Sequence, residues 1–289
     1  TSFIELKFKD FIFDGYENLS GQISKESPII LPKVLDFISG DKVALIVMDG
    51  MSLFDFEVLS RKFDNIKYEY ECIYALVPTT TAISRQSLLS GKYSRQLEKP
   101  FSLDREEREF MNAAKELGYS GKQIKYLRGY KLEISPLLKF ISIIINDIDD
   151  MAHGQKQGRI GMYNDVGLLA DSNNLQNLIK KLNNKGFKVY LTSDHGNTLC
   201  IGVGSLRSSG VEVETKSKRM VVLKDFADEN DIIKNNTFLY PGYYLDKSYK
   251  YFICNANKSF DNKNEEVMTH GGISIEEVIV PFIKVKAVQ

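Results

Sequence analysis

Apolar positions along the chain fall into two patterns. Residues 42–48, 139–145 and 187–191 are short, nearly continuous apolar runs. Such runs suit strands buried on both faces, as in a parallel sheet. Residues 66–77 alternate through Tyr68, Tyr70 and Cys72 and predict another strand, with further strands at 123–127 and 278–285. Between the strands the spacing turns helical: residues 32–39, then 52–61 with Leu53, Phe56 and Leu59, then 82–90 closed by Gly91. Residues 104–117 place Phe110, Ala113, Ala114 and Leu117 on one face before Gly118, and one long helix is predicted over 163–184. Strands alternating with helices predict an α/β fold with a doubly wound, mostly parallel sheet flanked by helices.

Two stretches depart from that alternation. Residues 1–40 open with aromatic and polar positions in turn, around Phe8, Phe11 and Phe13, and form a lead-in segment. Residues 197–260 carry short strand patterns at 211–215, 219–223 and 249–255, with a turn-rich 230–241, and predict a small strand and loop cap over the site. The expected organisation is therefore a lead-in at 1–40 and one domain at 41–289, with 197–260 as a cap insertion. Residues 257–266 are polar enough to predict a mobile loop, and 274–277 a short helix before the last strand.

Composition narrows the class. With 289 residues, 43% of them hydrophobic, the chain can bury a sizeable core. Lys+Arg and Asp+Glu are 38 each, so no electrostatic footprint for wholesale nucleic-acid wrapping is present, though a local basic groove is compatible. No apolar run approaches the roughly 20 residues of a membrane span. Cys72, Cys200 and Cys254 are widely spaced without a CxxC, which points to a reducing cytoplasm rather than a disulfide framework. The chain opens Thr1-Ser2 without methionine, as an excised piece of a longer protein would.

The candidate chemistry sits where the strand patterns end. The run 187–191 is followed by Thr192-Ser193-Asp194-His195-Gly196. The run 42–48 leads to Asp49-Gly50, and 139–145 leads to Asp149 and His153, four residues apart. His270 lies in Thr269-His270-Gly271-Gly272. The chain has three histidines, and all three stand beside glycine. In α/β sheets ligands bind at the carboxyl ends of strands. Three carboxylates and three imidazoles there have the number and hardness to hold a pair of zinc or manganese ions. The alternative, three separate turn histidines with N-capping aspartates, explains each position singly but not their convergence. Thr79, Thr80 and Thr81 follow the second strand where a helix begins, so any of them could be an activated hydroxyl or an N-cap.

Together these motifs resemble the alkaline phosphatase superfamily. The order Asp49-Gly, Pro78-Thr-Thr-Thr81 with Ser90-Gly91 following, Asp149-x-x-x-His153, Ser193-Asp194-His195-Gly196 and Thr269-His270-Gly271 is similar to its nucleotide pyrophosphatase/phosphodiesterase and cofactor-independent phosphoglycerate mutase branches. Met-Thr-His-Gly-Gly followed by Ser-Ile-Glu-Glu-Val-Ile-Val-Pro-Phe, and Thr-Ala-Ile-Ser-Arg-Gln-Ser-Leu-Leu-Ser-Gly after Pro78, resemble more specifically the PglZ domain. The resemblance runs from about residue 42 to 285 and contributes little in 197–260.

It implies that Asp49, Thr81, Asp194 and His195 hold one divalent ion and that Asp149, His153 and His270 hold the other, with zinc favoured and manganese suited. Thr81 becomes the nucleophile, attacking phosphorus in line to give a phospho-threonine that water hydrolyses. Arg85, one turn along from Thr81, could clamp a phosphate oxygen. Ser84 stands where phosphodiesterase relatives often carry asparagine, which loosens any transfer of their substrate contacts. The implied function is a metal-dependent phosphodiesterase acting on nucleotides or nucleic acid. Its setting would be a prokaryotic defence system of the BREX kind, or a related regulator, with partner proteins from that system and no membrane attachment. The rivals are a phosphomonoesterase or phosphomutase, and a metal-holding scaffold with little activity. A threonine at position 81 disfavours a sulfatase.

Overall fold

The computed structural model describes residues 3–38, 40–205, 215, 217–224 and 231–286. In chain order its elements are α1 (Phe3–Asp14), α2 (Val34–Phe37), β1 (Val43–Met48), α3 (Leu53–Ser60), β2 (Tyr68–Tyr74), α4 (Thr81–Ser90), α5 (Glu106–Glu116), β3 (Ile124–Arg128) and β4 (Phe140–Ile145). There follow α6 (Asp147–Gly154), α7 (Gly158–Asp171), α8 (Asn174–Asn184), β5 (Lys188–Thr192), β6 (Thr198–Gly202), β7 (Met220–Lys224), α9 (Asp231–Asn236) and β8 (Thr237–Tyr240). The chain closes with β9 (Tyr249–Cys254), β10 (Lys258–Ser259), β11 (Glu266–Thr269), α10 (Ile275–Val278) and β12 (Ile279–Val285).

A six-stranded sheet of order β2-β12-β5-β1-β4-β3 forms the centre. β5, β1, β4 and β3 pair in parallel, and β12 runs antiparallel to both of its neighbours. All six residues of β1 are buried because helices cover both sheet faces. Ala44, Ile46 and Met48 point to the layer of α3, α6, α7 and α8, while Val43, Leu45 and Val47 point to α2, α4 and α5. That two-sided burial explains a continuous apolar run rather than an alternating one.

The single helix expected at 163–184 is two helices. Met162, Val166 and Ala170 advance by four, and the next core residue is Leu175. A continuous helix would turn Asn173 and Asn174 toward the core. Instead Asn173 takes φ 58, a left-handed conformation that asparagine tolerates, and α8 starts in a new phase.

The 197–260 region contributes to two small sheets. One is β10-β6-β11 and the other is antiparallel, β7-β9-β8. Of the strand expected at 211–215, residues 211–214 lie outside the described residues. The stretch 257–266 is tied down rather than free: β10 pairs with β6, and Ser259 and Phe260 are buried. The aromatic lead-in is helical. Ile12 on α1, with Tyr16 and Leu19 beyond it, is buried against Met220, Val222, Tyr240 and Tyr251 of the antiparallel sheet. Tyr240 and Tyr244 are buried there and Phe238 and Tyr243 pack against them, with ring pairs such as Phe13–Phe238 and Tyr16–Tyr244.

Candidate metal centre

The adjacent carboxyl ends of β5, β1 and β4 deliver most of the site. Asp49 follows β1, Asp194 and His195 follow β5, and α6 begins just past β4. Within α6, Asp149 and His153 sit one turn apart on one face. His270 arrives from the end of β11, in a small sheet rather than the central one. Gly50 makes the first approach possible. Its φ is +73, and a Cβ there would lie 3.3 Å from the Asp149 carboxylate.

Two groups that could each hold a metal ion result, Asp49–Asp194–His195 and Asp149–His153–His270. His153 Nε2 and His270 Nε2 each lie 3.4 Å from Asp149 Oδ1. His195 Nε2 lies 3.6 Å from Asp49 Oδ1 and 3.8 Å from Asp194 Oδ2. Ligands about 2.1 Å from a tetrahedral ion stand roughly 3.4 Å from one another, so both groups are near the spacing an ion requires. The three facing carboxylate oxygens, Asp49 Oδ1, Asp149 Oδ1 and Asp194 Oδ2, are buried with no hydrogen-bond partner. Buried acceptors normally find a donor. Left without one and aimed at imidazole nitrogens, they fit a cation.

Backbone contacts orient the two buried imidazoles. His195 Nδ1 donates to the Gly196 carbonyl at 3.0 Å, and His270 Nδ1 donates to the Thr79 carbonyl at 2.9 Å. A carbonyl only accepts, so in each neutral ring the proton is on Nδ1 and the lone pair is on Nε2, which is turned to the site. The rings stack at 4.0 Å, which ties the two groups together. The Thr81 hydroxyl, at the first residue of α4, lies 3.0 Å from His195 Nε2. Thr79, by contrast, is fully buried and its hydroxyl contacts Glu277 at 2.8 Å. Thr80 is the N-cap residue of α4.

Arg85 lines the same cavity, but two of its donors are committed. It pairs with Asp49 through Nη1 and with Glu106 through Nε at 2.6 Å, all three residues being buried. Glu106 also accepts from Tyr126 and Arg128. Burial by itself would raise the Asp49 carboxyl, but Arg85, then His195 and His270, hold it below the usual range. Asp194 is pushed far up by burial and by the Asp49 charge. Arg85 is driven the other way from what burial alone would do, upward, by Asp49, Asp194 and Glu106. Burial and the neighbouring His195 ring lower His270, against the pull of Asp149. Two carboxylates in one dry site that cannot both ionise comfortably are what a divalent ion would relieve.

The cavity over these groups has a volume of about 550 Å³. Phe101, Ser102, Leu103, Asp104 and Arg128 also line it, while Thr215 and Ser217 are the described residues that the 197–260 region supplies. The whole constellation named from sequence is thus gathered at one place. Glu106, Arg128, Arg219 and Glu277 were not singled out. Only Glu277 had a local signal, the Ser274-x-x-Glu277 capping box.

The profile of the BREX system PglZ alkaline phosphatase-like domain matches residues 32–285. The chain belongs to the PglZ family. No curated protein sequence matches it. Among solved structures, the PglZ chain is similar to murine ectonucleotide pyrophosphatase/phosphodiesterase 5, in an inactive threonine-to-alanine variant with AMP. That match has TM-score 0.60 and 11% identity, covering 85% of this chain and 88% of that one. It is also similar to the human counterpart at TM-score 0.56 and 12% identity, covering 84% and 87%. Phosphonoacetate hydrolase from Sinorhizobium meliloti 1021, with phosphonoformate, matches at TM-score 0.51 and 9% identity, covering 84% and 89%. At such identities the likeness establishes the fold. The PglZ chain has the fold of alkaline phosphatase-like hydrolases, a superfamily that typically uses divalent metals. Among the described residues no helix is long and apolar enough to cross a membrane.

Proposed function

We propose that this PglZ domain is a two-metal phosphodiesterase acting on nucleotides or nucleic acid through a phospho-threonine intermediate. The observation that carries the reading is the Thr81 hydroxyl at 3.0 Å from His195, beside two ligand groups whose carboxylate oxygens lack partners. Asp49, Asp194, His195 and Thr81 would hold one ion, and Asp149, His153 and His270 the other, with zinc the first candidate and manganese the second. When bound, the ions would lower the hydroxyl pKa and neutralise phosphate charge.

The chain's own residues do the rest. Thr81 Oγ forms a bond to phosphorus while the opposite P–O bond breaks. The hydroxyl proton leaves to solvent, and the departing oxygen takes one up. Water then cleaves the Thr81–phosphorus ester and restores the hydroxyl. Arg85 holds Asp49 in its ionised form at the edge of this centre. A cavity of about 550 Å³ is more than a lone phosphate needs, which favours a diester with a group on each side. The AMP bound by the murine neighbour is in keeping with a nucleotide. The family description supports a role in a BREX-type defence system together with that system's other proteins. The free thiols suit a cytoplasmic setting.

The test compares bis-p-nitrophenyl phosphate with p-nitrophenyl phosphate, with zinc or manganese, in the parent and in Thr81→Ala. Metal-dependent diester cleavage that falls by on the order of a thousandfold or more in the variant, while two ions per chain are retained, is the expected result. Preference for the monoester would move the protein to the phosphatase or phosphomutase class. Two bound ions without cleavage of either substrate would favour the scaffold.

A further inference from the structure

Thr79 belongs to the threonine run but is not available for chemistry, and what it does instead is specific. Its hydroxyl donates to Glu277 Oε2 at 2.8 Å and accepts from the Gly271 N–H at 3.0 Å. Its carbonyl accepts from His270 Nδ1 at 2.9 Å. Glu277 Oε2 also accepts from the Gly272 N–H at 2.7 Å. One fully buried carboxylate therefore grips both the turn that leads to Thr81 and the turn that carries His270. Its other oxygen pairs with Arg219, also fully buried, whose guanidinium donates in addition to Ser274 Oγ at 3.1 Å and to the Lys258 carbonyl at 3.0 Å. The fit is close: a Cβ on Gly272 would lie 2.7 Å from Arg219 Cζ. Arg219 directly precedes β7, so the accessory sheet is fastened to the same point.

A buried ion pair is weak evidence for stability in itself, since well-packed apolar residues often do as well. This pair has a geometric consequence that apolar residues could not supply. Thr79 is two residues from Thr81, and Gly271 directly follows His270. The carboxylate therefore fixes the separation of the hydroxyl from the Asp149–His153–His270 group and presents His270 Nε2 by holding Nδ1 on a carbonyl.

Resting on the two-metal reading above, we propose that Thr79 and Glu277 are positioning residues that set the register between Thr81 and His270, with Arg219 tying the accessory sheet to that register.

The test uses Thr79→Val, which keeps shape but removes the hydroxyl, Thr79→Ser, which restores it, and Glu277→Gln. Zinc alone is titrated against a chromogenic chelator. Long-range proton–nitrogen NMR reports the tautomer of His270 in protein treated with chelator. Thr79→Val is expected to weaken one of two zinc-binding steps at least tenfold and leave the other within twofold, with Thr79→Ser returning close to the parent. In the same variant His270 should lose its single Nδ1–H tautomer. Loss of both zinc steps together, or a parent-like zinc isotherm and tautomer in Thr79→Val, would overturn the proposal. If the parent takes up no zinc, the metal reading fails on its own, and the tautomer measurement still decides whether Thr79 positions His270. If Glu277→Gln does not fold, the two Thr79 variants decide the matter.

Discussion

Replacing Arg85 with methionine tests how the acidic half of the site is held together. The guanidinium is buried between Asp49 and Glu106, with Nε 2.6 Å from Glu106. At an effective dielectric of about 20, one such contact is worth roughly 6 kcal/mol of Coulomb attraction. Desolvating each ion costs several kcal/mol, so the net value of the pair is far smaller than that sum. Removing one partner is the costly change, because the carboxylates stay behind. Glu106 would keep Tyr126 and Arg128, the latter at 3.2 Å. Asp49 would be left facing Asp194 with its main cation gone. Arg85→Met should therefore cost about 3–5 kcal/mol in protein stripped of metal. Urea unfolding in the presence of chelator measures it, and added zinc should recover a substantial part. In a cycle with Glu106→Gln, the double variant should be less unstable than the sum of the singles by about 1.5 kcal/mol or more. A loss under about 1 kcal/mol, or strict additivity, would refute this account of the buried pairs.

Two further outcomes follow from the packing. Gly196→Ala should destabilise the protein by about 3 kcal/mol or more and remove one zinc equivalent, because the new Cβ would lie 2.0 Å from the Glu276 carbonyl oxygen. Thermal unfolding and metal counting check it, and a Tm within a degree of the parent would contradict the close approach. Tyr16→Phe removes a hydroxyl that donates to the Ala75 carbonyl at 2.8 Å and accepts from the Val77 N–H at 3.0 Å. It should cost about 1–3 kcal/mol by denaturant unfolding, and a neutral result would mean that residues 1–40 do not brace the approach to Thr81.

Much of this protein was determined locally. Strands buried on both faces announce themselves as unbroken apolar runs, and helices at their flanks by spacing, so β1, β4, β5, α3 and α5 were legible where they lie. Much of the candidate site was legible as well: Asp49 with Gly50, and Asp194-His195 with Gly196, stand just past strand ends, and Asp149 and His153 follow β4 at the four-residue spacing of one helix face. What local pattern could not supply was phase and partnership. The break at Asn173 depends on which side of α7 and α8 meets the sheet. The helical form of residues 3–14 depends on an accessory sheet more than 200 residues away in sequence.

The same holds for the residues that prepare the site. Glu106 reads as one more charge in a strongly amphipathic helix, and Arg219 as a charge at a strand end. Only tertiary structure puts Glu106 on Arg85 and Arg219 on Glu277, fully desolvated. The candidate ligands Asp49, Asp194 and His195 converge because the central sheet places strand ends side by side, and a sequence records each strand end. Buried ion pairs and the carbonyl that aims His270 join segments 21, 58 and 191 residues apart. Electrostatic attraction acts through space, and no one-dimensional pattern encodes it.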